Sequence, residues 1–317
     1  MIEQRLRLFS GTSNPSFSHH ICQHLGLSQG EMHIQRFSDG EIFIQMKESI
    51  RGLDTFFVQS TSAPANANLM ELLICIDAAK RASARQISVV MPYFGYARQD
   101  RKTAGRTAIT AKLVADLITT AGATRVLTMD LHAGQIQGFF NIPVDNIFAA
   151  PVMAKDIKER YNSEDTVIIS PDVGGVVRAR ALASMLHMDM AIVDKRRPAP
   201  NEAKVMNVIG EAKIKNKHCI LVDDIVDTAG TLCNAVTALL DRGASSVSAY
   251  TTHGVLSGQA AERLKKSAIK ELVVTDTIPL AQHLQDTGKV RILSVAPVFA
   301  EAISRIYSAK SISSLYE

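Results

Sequence analysis

The segment Cys219-Ile220-Leu221-Val222-Asp223-Asp224-Ile225-Val226-Asp227-Thr228-Ala229-Gly230-Thr231 runs from apolar residues into three carboxylates and a turn of small residues. Residues 220–222 have the unbroken apolar pattern of a strand buried on both faces of a parallel sheet, and residues 232–240 continue with the period of an apolar helix. The acidic turn is therefore expected at the carboxyl end of a strand, where open α/β sheets bind ligands. Asp223 and Asp224 offer acceptors to vicinal sugar hydroxyls, while Thr228, Ala229, Gly230 and Thr231 offer backbone N–H groups, hydroxyls and a helix N-terminus to a phosphate. A ribose 5-phosphate, with its diol at one end and phosphate at the other, suits this charge order better than a nucleoside triphosphate, which the carboxylates would repel. No Gly-Lys-Ser/Thr or Gly-x-Gly-x-x-Gly follows the strand, so the segment is neither a Walker loop nor a dinucleotide fingerprint. The competing reading is an acidic, solvated loop after a core strand.

The rest of the chain bounds the function. With 317 residues, 46% of them hydrophobic, it is long enough for about two domains with substantial cores. No signal-peptide pattern opens it, and no apolar run approaches the roughly 20 residues that span a bilayer, so a cytoplasmic protein without membrane contact is expected. Cys22, Cys75, Cys219 and Cys233 lie far apart without a Cys-x-x-Cys pair, which argues against a disulfide framework or zinc site and for reduced, mostly buried thiols. A net charge of +4 is compatible with anionic substrates but is too diffuse for nucleic-acid binding.

A shift of 121 residues places Thr107, Ala108, Thr110, Gly122, Ala123, Val126 and His132 on Thr228, Ala229, Thr231, Gly243, Ala244, Val247 and His253. Each copy reads as a helix start, an apolar helix, a Gly-Ala end, a strand and a histidine at its exit. Two similar α/β halves follow, related by duplication. Chance similarity of alanine-rich helices is the alternative, and the shared histidines weigh against it. Asn141-Ile142-Pro143-Val144-Asp145-Asn146 reads as a loop between the halves, with residues 1–149 in the first domain and 150–296 in the second. Residues 65–84 read as a surface helix capped by Asn66 or Asn68.

Four further segments carry polar residues at strand exits. After residues 87–91 comes Pro92-Tyr93-Phe94-Gly95-Tyr96-Ala97-Arg98-Gln99-Asp100-Arg101, where aromatic faces beside Arg98 and Arg101 suit a nucleotide and Gln99 could read a base edge. Residues 126–132 end in Asp130 and His132, and residues 168–175 end in Asp172, Gly174 and Gly175, whose small size lets backbone N–H groups approach a diphosphate. His132 and Asp172 are candidate ligands for magnesium-bound phosphates, although a strand-end histidine alone is more often structural. Asp194-Lys195-Arg196-Arg197-Pro198-Ala199-Pro200-Asn201 follows a strand at residues 190–193 and reads as a mobile basic arm, in which Lys195 and Arg197 could neutralise charge on a polyphosphate. Alone, such segments read as an ion-pair network and a solvated charge run.

Together these motifs resemble the ribose-phosphate pyrophosphokinases, of the phosphate-regulated class, over nearly the full length from Leu8-Phe9-Ser10-Gly11 through Phe37-Ser38-Asp39-Gly40-Glu41 to Ser311-Ile312-Ser313. The Asp-Asp-x-x-Asp-Thr-Ala-Gly-Thr turn alone indicates only the wider phosphoribosyltransferase fold; the Tyr-Ala-Arg-Gln-Asp-Arg, Asp-Leu-His and Lys-Arg-Arg segments are those of the synthetases. The resemblance implies two phosphoribosyltransferase-type domains with parallel central sheets, related by internal duplication, with residues 297–317 returning to the first. It implies transfer of the β,γ-diphosphoryl group of ATP to the 1-hydroxyl of ribose 5-phosphate, with Mg2+ as cofactor, yielding AMP and 5-phospho-α-ribose 1-diphosphate. On that resemblance Phe37, Asp39, Glu41, Arg98, Gln99, Arg101 and His132 bind ATP, and His132 and Asp172 sit at magnesium. Asp172, Gly174 and Gly175 shape the diphosphate site. Asp223, Asp224, Asp227, Thr228, Ala229, Gly230 and Thr231 hold ribose 5-phosphate, and Lys195 and Arg197 form the catalytic arm.

The same resemblance implies a hexamer activated by phosphate and inhibited by ADP through Ser49, Arg51, Lys102, Ser311 and Ser313. Departures occur at Gly105 and Ala108, where bulkier residues or proline are frequent, at Gly134 in place of an acid, and at Tyr316 in place of phenylalanine. Two other readings stay open. A phosphoribosyltransferase would need only one such domain. A catalytically silent regulatory homologue would show lost ligands, whereas Lys195, Arg197, His132 and Asp172 are all present.

Overall fold

The structure, a computed structural model, describes residues 5–196 and 205–316. The chain folds into two compact units: unit 1, Met1–Phe148, Thr277–Pro279 and Ser294–Glu317, and unit 2, Ala149–Asp276 and Leu280–Leu293. In unit 1, strands β1 (Leu6–Ser10), β4 (Asp54–Val58), β5 (Gln86–Met91), β6 (Arg125–Met129) and β7 (Val144–Ile147) form an all-parallel sheet in that order. A separate antiparallel hairpin joins β2 (Met32–Arg36) to β3 (Ile42–Met46). In unit 2, β8 (Thr166–Ser170), β11 (His218–Val226), β12 (Ser246–Gly254), β13 (Leu272–Thr275) and β14 (Val290–Leu293) run parallel, and β9 (Asp189–Arg196) with antiparallel β10 (Val205–Ile209) continues the same sheet beyond β8.

Helices cover these sheets, and β4 and β8 are accordingly buried at every position. The first core stacks Phe9 on Phe57 at 5.3 Å between ring centres, and Leu221, Val236 and Leu239 lie in the second. Each such buried side chain stabilises its unit by about 2 kcal/mol. Helix α1 (Pro15–Leu25) opens with Pro15 and an Asn14 side chain that accepts the Phe17 N–H, and it ends at Gly26 in the left-handed region. Helix α9 (Ala296–Tyr307) belongs to unit 1, where Phe299 meets Phe17 of α1 edge-on at 5.3 Å.

The α/β class and the parallel sheets match the expectation, but the duplication has a different register. With α2 (Ala65–Arg81), α3 (Thr110–Ala121), α4 (Ala150–Arg160), α5 (Val176–Leu186), α6 (Gly230–Asp241), α7 (Ala260–Lys266) and α8 (Gln282–Gln285), the two halves share one order: strand, helix, hairpin, strand, helix and three further strands. Sheet order then pairs β1, β4, β5, β6 and β7 with β8, β11, β12, β13 and β14. The 121-residue shift instead lays α3-β6 on α6-β12, one strand out of register. The reason is chemical sameness: neighbouring βαβ units of parallel sheets have similar buried strands and glycine helix ends. The two histidines are accordingly not equivalent, since His132 is exposed after β6 and His253 is buried within β12.

Smaller differences follow from pairing. Residues 144–146 belong to β7, where parallel bonding to β6 overrides the turn-like composition. Helix α2 is capped by Pro64 without a side-chain bond; Asn68 is buried and donates to the Ser62 carbonyl. All four cysteines are free, with Cys22, Cys75 and Cys219 buried. Among the described residues no helix is long and apolar enough to cross a membrane.

Candidate active site

Strand β11 holds Asp223 and Asp224 inside the strand, where a turn was expected: Asp223 pairs with Thr251 and Ile225 with His253 of β12. Consecutive strand residues face opposite sides. The side chains are accordingly unlike, Asp223 being 31% exposed and Asp224 7%. The turn proper is Asp227 to Ala229. Ala229 is buried in the left-handed region at φ 57°, a conformation that costs a residue with a Cβ about 1 kcal/mol. Helix α6 begins at the next residue, so its first N–H groups, which have no carbonyl one turn back, gather at the strand's carboxyl end.

Three side chains that sequence reading missed hold this segment. Arg178 on α5 donates from Nη1 to Asp224 Oδ1 at 3.1 Å and lies 3.8 Å from Asp223 Oδ1. The Ser257 hydroxyl donates to Asp227 Oδ1, and Arg263 on α7 donates to the Thr228 carbonyl at 2.8 Å. Only Arg178 left a sequence signal. It stands third in α5, in a first turn with no acidic residue, where the helix dipole disfavours a cation unless a carboxylate faces it. Burial and the neighbouring Asp224 carboxylate push the Asp223 carboxyl up to about 7, against the pull of Arg178.

The loop after β8 lies beside this segment because β8 and β11 are paired neighbours. Asp172 Oδ1 accepts the Gly175 N–H at 3.0 Å, and Ser170 Oγ donates to the Asp172 carbonyl at 2.7 Å. Neither Gly174 nor Gly175 has positive φ; a Cβ on Gly175 would sit 3.0 Å from Ser170 Oγ and one on Gly174 3.3 Å from Asp172 Oδ1. Glycine is needed here for close approach.

The strand expected at residues 190–193 extends further. Lys195 and Arg196 remain in β9, in register with Met206 and Val205 of β10. The base of the arm is thus an antiparallel hairpin, while Arg197 and residues 198–201 lie outside the described residues.

In unit 1 the β2–β3 hairpin turns through Phe37, Asp39, Gly40 and Glu41. Phe37 N–H donates to Glu41 O, Asp39 Oδ1 accepts the Glu41 N–H at 3.0 Å, and Gly40 has φ 94°. Phe37 is 49% exposed and its ring centre lies 6.2 Å from that of Phe43, so an apolar face is presented at the hairpin tip. Beyond β5 the expectation is half met. Arg98, Gln99 and Arg101 are exposed, but Tyr93 and Phe94 are buried, Phe94 packing edge-on against Phe140 at 5.8 Å. Those aromatics serve the core, because apolar area outweighs any role at the strand exit. Gln99 accepts the Thr110 hydroxyl at 2.5 Å. His132 is exposed just past Asp130, whose φ is 41°.

Ser49, Arg51 and Lys102 are exposed. Ser311 and Ser313 pair their hydroxyls at 2.8 Å, with the Arg305 guanidinium on the Ser311 carbonyl at 2.9 Å. Tyr316 accepts the Phe148 N–H at 2.8 Å, a bond that phenylalanine could not make. Among the described residues no three His, Cys, Asp or Glu side chains form a metal cage. The Asp172 carboxylate nevertheless offers a hard oxygen of the kind magnesium takes when it arrives with substrate phosphates.

Both parts of the chain match known protein families. Residues 6–122 match the family described as the N-terminal domain of ribose phosphate pyrophosphokinase, and residues 158–317 match the phosphoribosyl synthetase-associated domain. A ribose-phosphate pyrophosphokinase of Rhizobium meliloti (strain 1021) is 57% identical over 312 residues, 98% of this chain and 100% of the relative. The chain belongs to the ribose-phosphate pyrophosphokinase family. Another family member, from Maricaulis maris (strain MCS10), is 59% identical over 312 residues, again 98% of this chain and 100% of the relative. The family fold is matched by the crystal structure of phosphoribosylpyrophosphate synthetase from Mycobacterium smegmatis, with TM-score 0.90 and 41% identity, covering 96% of this chain and 100% of that one.

Proposed function

We propose that this family member transfers the β,γ-diphosphoryl group of ATP to the 1-hydroxyl of ribose 5-phosphate, giving 5-phospho-α-ribose 1-diphosphate and AMP. The observation that carries the reading is the division of labour along one segment. Asp223 and Asp224 lie near the end of β11 as candidate diol acceptors, two residues before the strand ends at Val226, and the left-handed Ala229 then leads into the N-terminus of α6, a candidate phosphate receiver. Asp227, Thr228, Gly230 and Thr231 complete the ribose 5-phosphate loop.

ATP is assigned to Phe37, Asp39, Glu41, Arg98, Gln99, Arg101 and His132. The exposed Phe37 ring supports a stacked base, and the exposed guanidinium groups of Arg98 and Arg101 support phosphate contacts. Asp172, Gly174 and Gly175 shape the diphosphate position, and Asp172 and His132 hold Mg2+. That ion would supply positive charge to neutralise the phosphates. The chain's own part is positioning and neutralisation: the sugar hydroxyl is held in line, and Lys195 and Arg197 stabilise charge on the transferred and leaving oxygens. No side chain is required as a covalent nucleophile.

The chain is further proposed to be cytoplasmic and to work as a phosphate-activated, ADP-inhibited hexamer through Ser49, Arg51, Lys102, Ser311 and Ser313. Assay with phosphate removed tests this, since full activity there excludes the phosphate-regulated class. For the reaction itself, phosphorus NMR follows ATP with magnesium and phosphate, with and without ribose 5-phosphate. AMP and a sugar-linked diphosphate should appear only with the sugar. Folded protein that binds ATP and releases no AMP would instead be a silent regulatory homologue.

A further inference from the structure

Arg178 belongs to no assigned site, yet it contacts both carboxylates proposed to bind the sugar. Its guanidinium, 23% exposed on α5, reaches the strand next to the one that leads into its own helix, with Nη1 at 3.1 Å from Asp224 Oδ1 and 3.8 Å from Asp223 Oδ1. Two carboxylates at successive positions of one strand repel each other, and Asp223 is further tied down by the Asp224 N–H at 2.9 Å. A buried carboxylate such as Asp224, only 7% exposed, needs a charged donor to remain an oriented acceptor. We infer that Arg178 is a positioning residue for ribose 5-phosphate: its contact holds the Asp224 carboxylate aimed beside Asp223, so that the acidic pair accepts both sugar hydroxyls, and it couples the diphosphate loop, which leads into α5, to the sugar segment.

The arrangement also sets the specificity of the effect. Arg178 acts through Asp224, so its loss weakens the sugar. An arginine that touched the transferred diphosphate directly would show its loss in turnover and in the ATP constant. The inference rests on the proposed role of Asp223 and Asp224, and the test separates the two.

Steady-state constants for both substrates are measured for the whole protein, for Arg178→Met, for Arg178→Lys and for the double variant Asp223→Asn/Asp224→Asn. Removing a charge-assisted hydrogen bond should raise the ribose 5-phosphate KM of Arg178→Met roughly 10- to 100-fold. The ATP KM should stay within about twofold and kcat should fall less than the sugar KM rises. Arg178→Lys keeps the charge without the planar fork and should recover part of the loss, and it serves as the test if the methionine variant does not fold. An unchanged sugar KM in Arg178→Met, or a loss confined to kcat, overturns the positioning role. If the double asparagine variant also binds the sugar normally, the carboxylate assignment itself has failed; if that variant loses the sugar while Arg178→Met does not, only Arg178 has been misread.

Discussion

Units 1 and 2 share an order of elements but treat their strand ends in opposite ways. In unit 1 the polar groups after β1 and β4 are spent on one another. Glu71 of α2, fully buried, accepts the Thr12 N–H and hydroxyl, both at 2.7 Å, the Gln59 amide at 2.8 Å and Arg36 at 3.4 Å. Gln59 Oε1 in turn takes the Ser13 N–H at 3.1 Å, and Thr61 Oγ1 takes the Gly95 N–H at 2.7 Å. At the corresponding ends of β8 and β11, unit 2 places glycines, a half-exposed Asp223 and the start of α6. The hairpins diverge as well, since β2–β3 stands as its own sheet while β9–β10 extends the main one. A duplicated fold can thus turn the loops after two strands of one copy to internal support while the equivalent loops of the other stay open, because buried polar groups must find partners.

The largest test of this contrast concerns the extended hairpin. Lys195→Ala should lower kcat by about 10³-fold while the ribose 5-phosphate KM moves by less than about threefold. Near-normal turnover would take the hairpin out of the mechanism and leave its sheet extension as architecture. Next in size, Glu71→Ala strands several buried donors and should cost about 3 kcal/mol, a Tm drop of roughly 6–12 °C by circular dichroism. The sugar KM should stay flat; if it rises instead, the loops of unit 1 are more than support.

Phe37→Ala should raise the ATP KM about 5- to 10-fold, the loss of one stacking face, without affecting the sugar. A change in the sugar constant alone would reverse the division of substrates between the units. The smallest effect concerns pH. Because Asp223 is raised to about 7 in the folded chain, its carboxyl favours folding below the unfolded value near 3.8 and loses that contribution as pH rises through about 7. Without ligand, Asp223→Asn should therefore gain stability relative to the parent between pH 5 and pH 8. Water screens this partly exposed group, so the gain is about 1 kcal/mol, or ~2–4 °C in Tm. A gain that shrinks with pH would mean the carboxyl is stabilised as an anion instead.

The sequence by itself determined the α/β class and the acidic segment that leads from β11 into α6, because these rest on local patterns: an unbroken apolar run, a helix period, and carboxylates before small residues. It located Asp223, Asp224 and Gly230 without any neighbour in view. Tertiary structure decided the register of the duplication, since adjacent βαβ units have interchangeable local chemistry and only strand order tells them apart. It also decided that Tyr93 and Phe94 are core while Phe37 is exposed, because the facing sheet and helices set an aromatic ring's environment, and its own neighbours in the chain do not. Arg178, Ser257 and Arg263 reach the loop from far along the chain, across hydrogen bonds that no periodicity encodes. Charge order is written in sequence, but the side chains that hold those charges in place are chosen by the packing of α5 and α7 around β11.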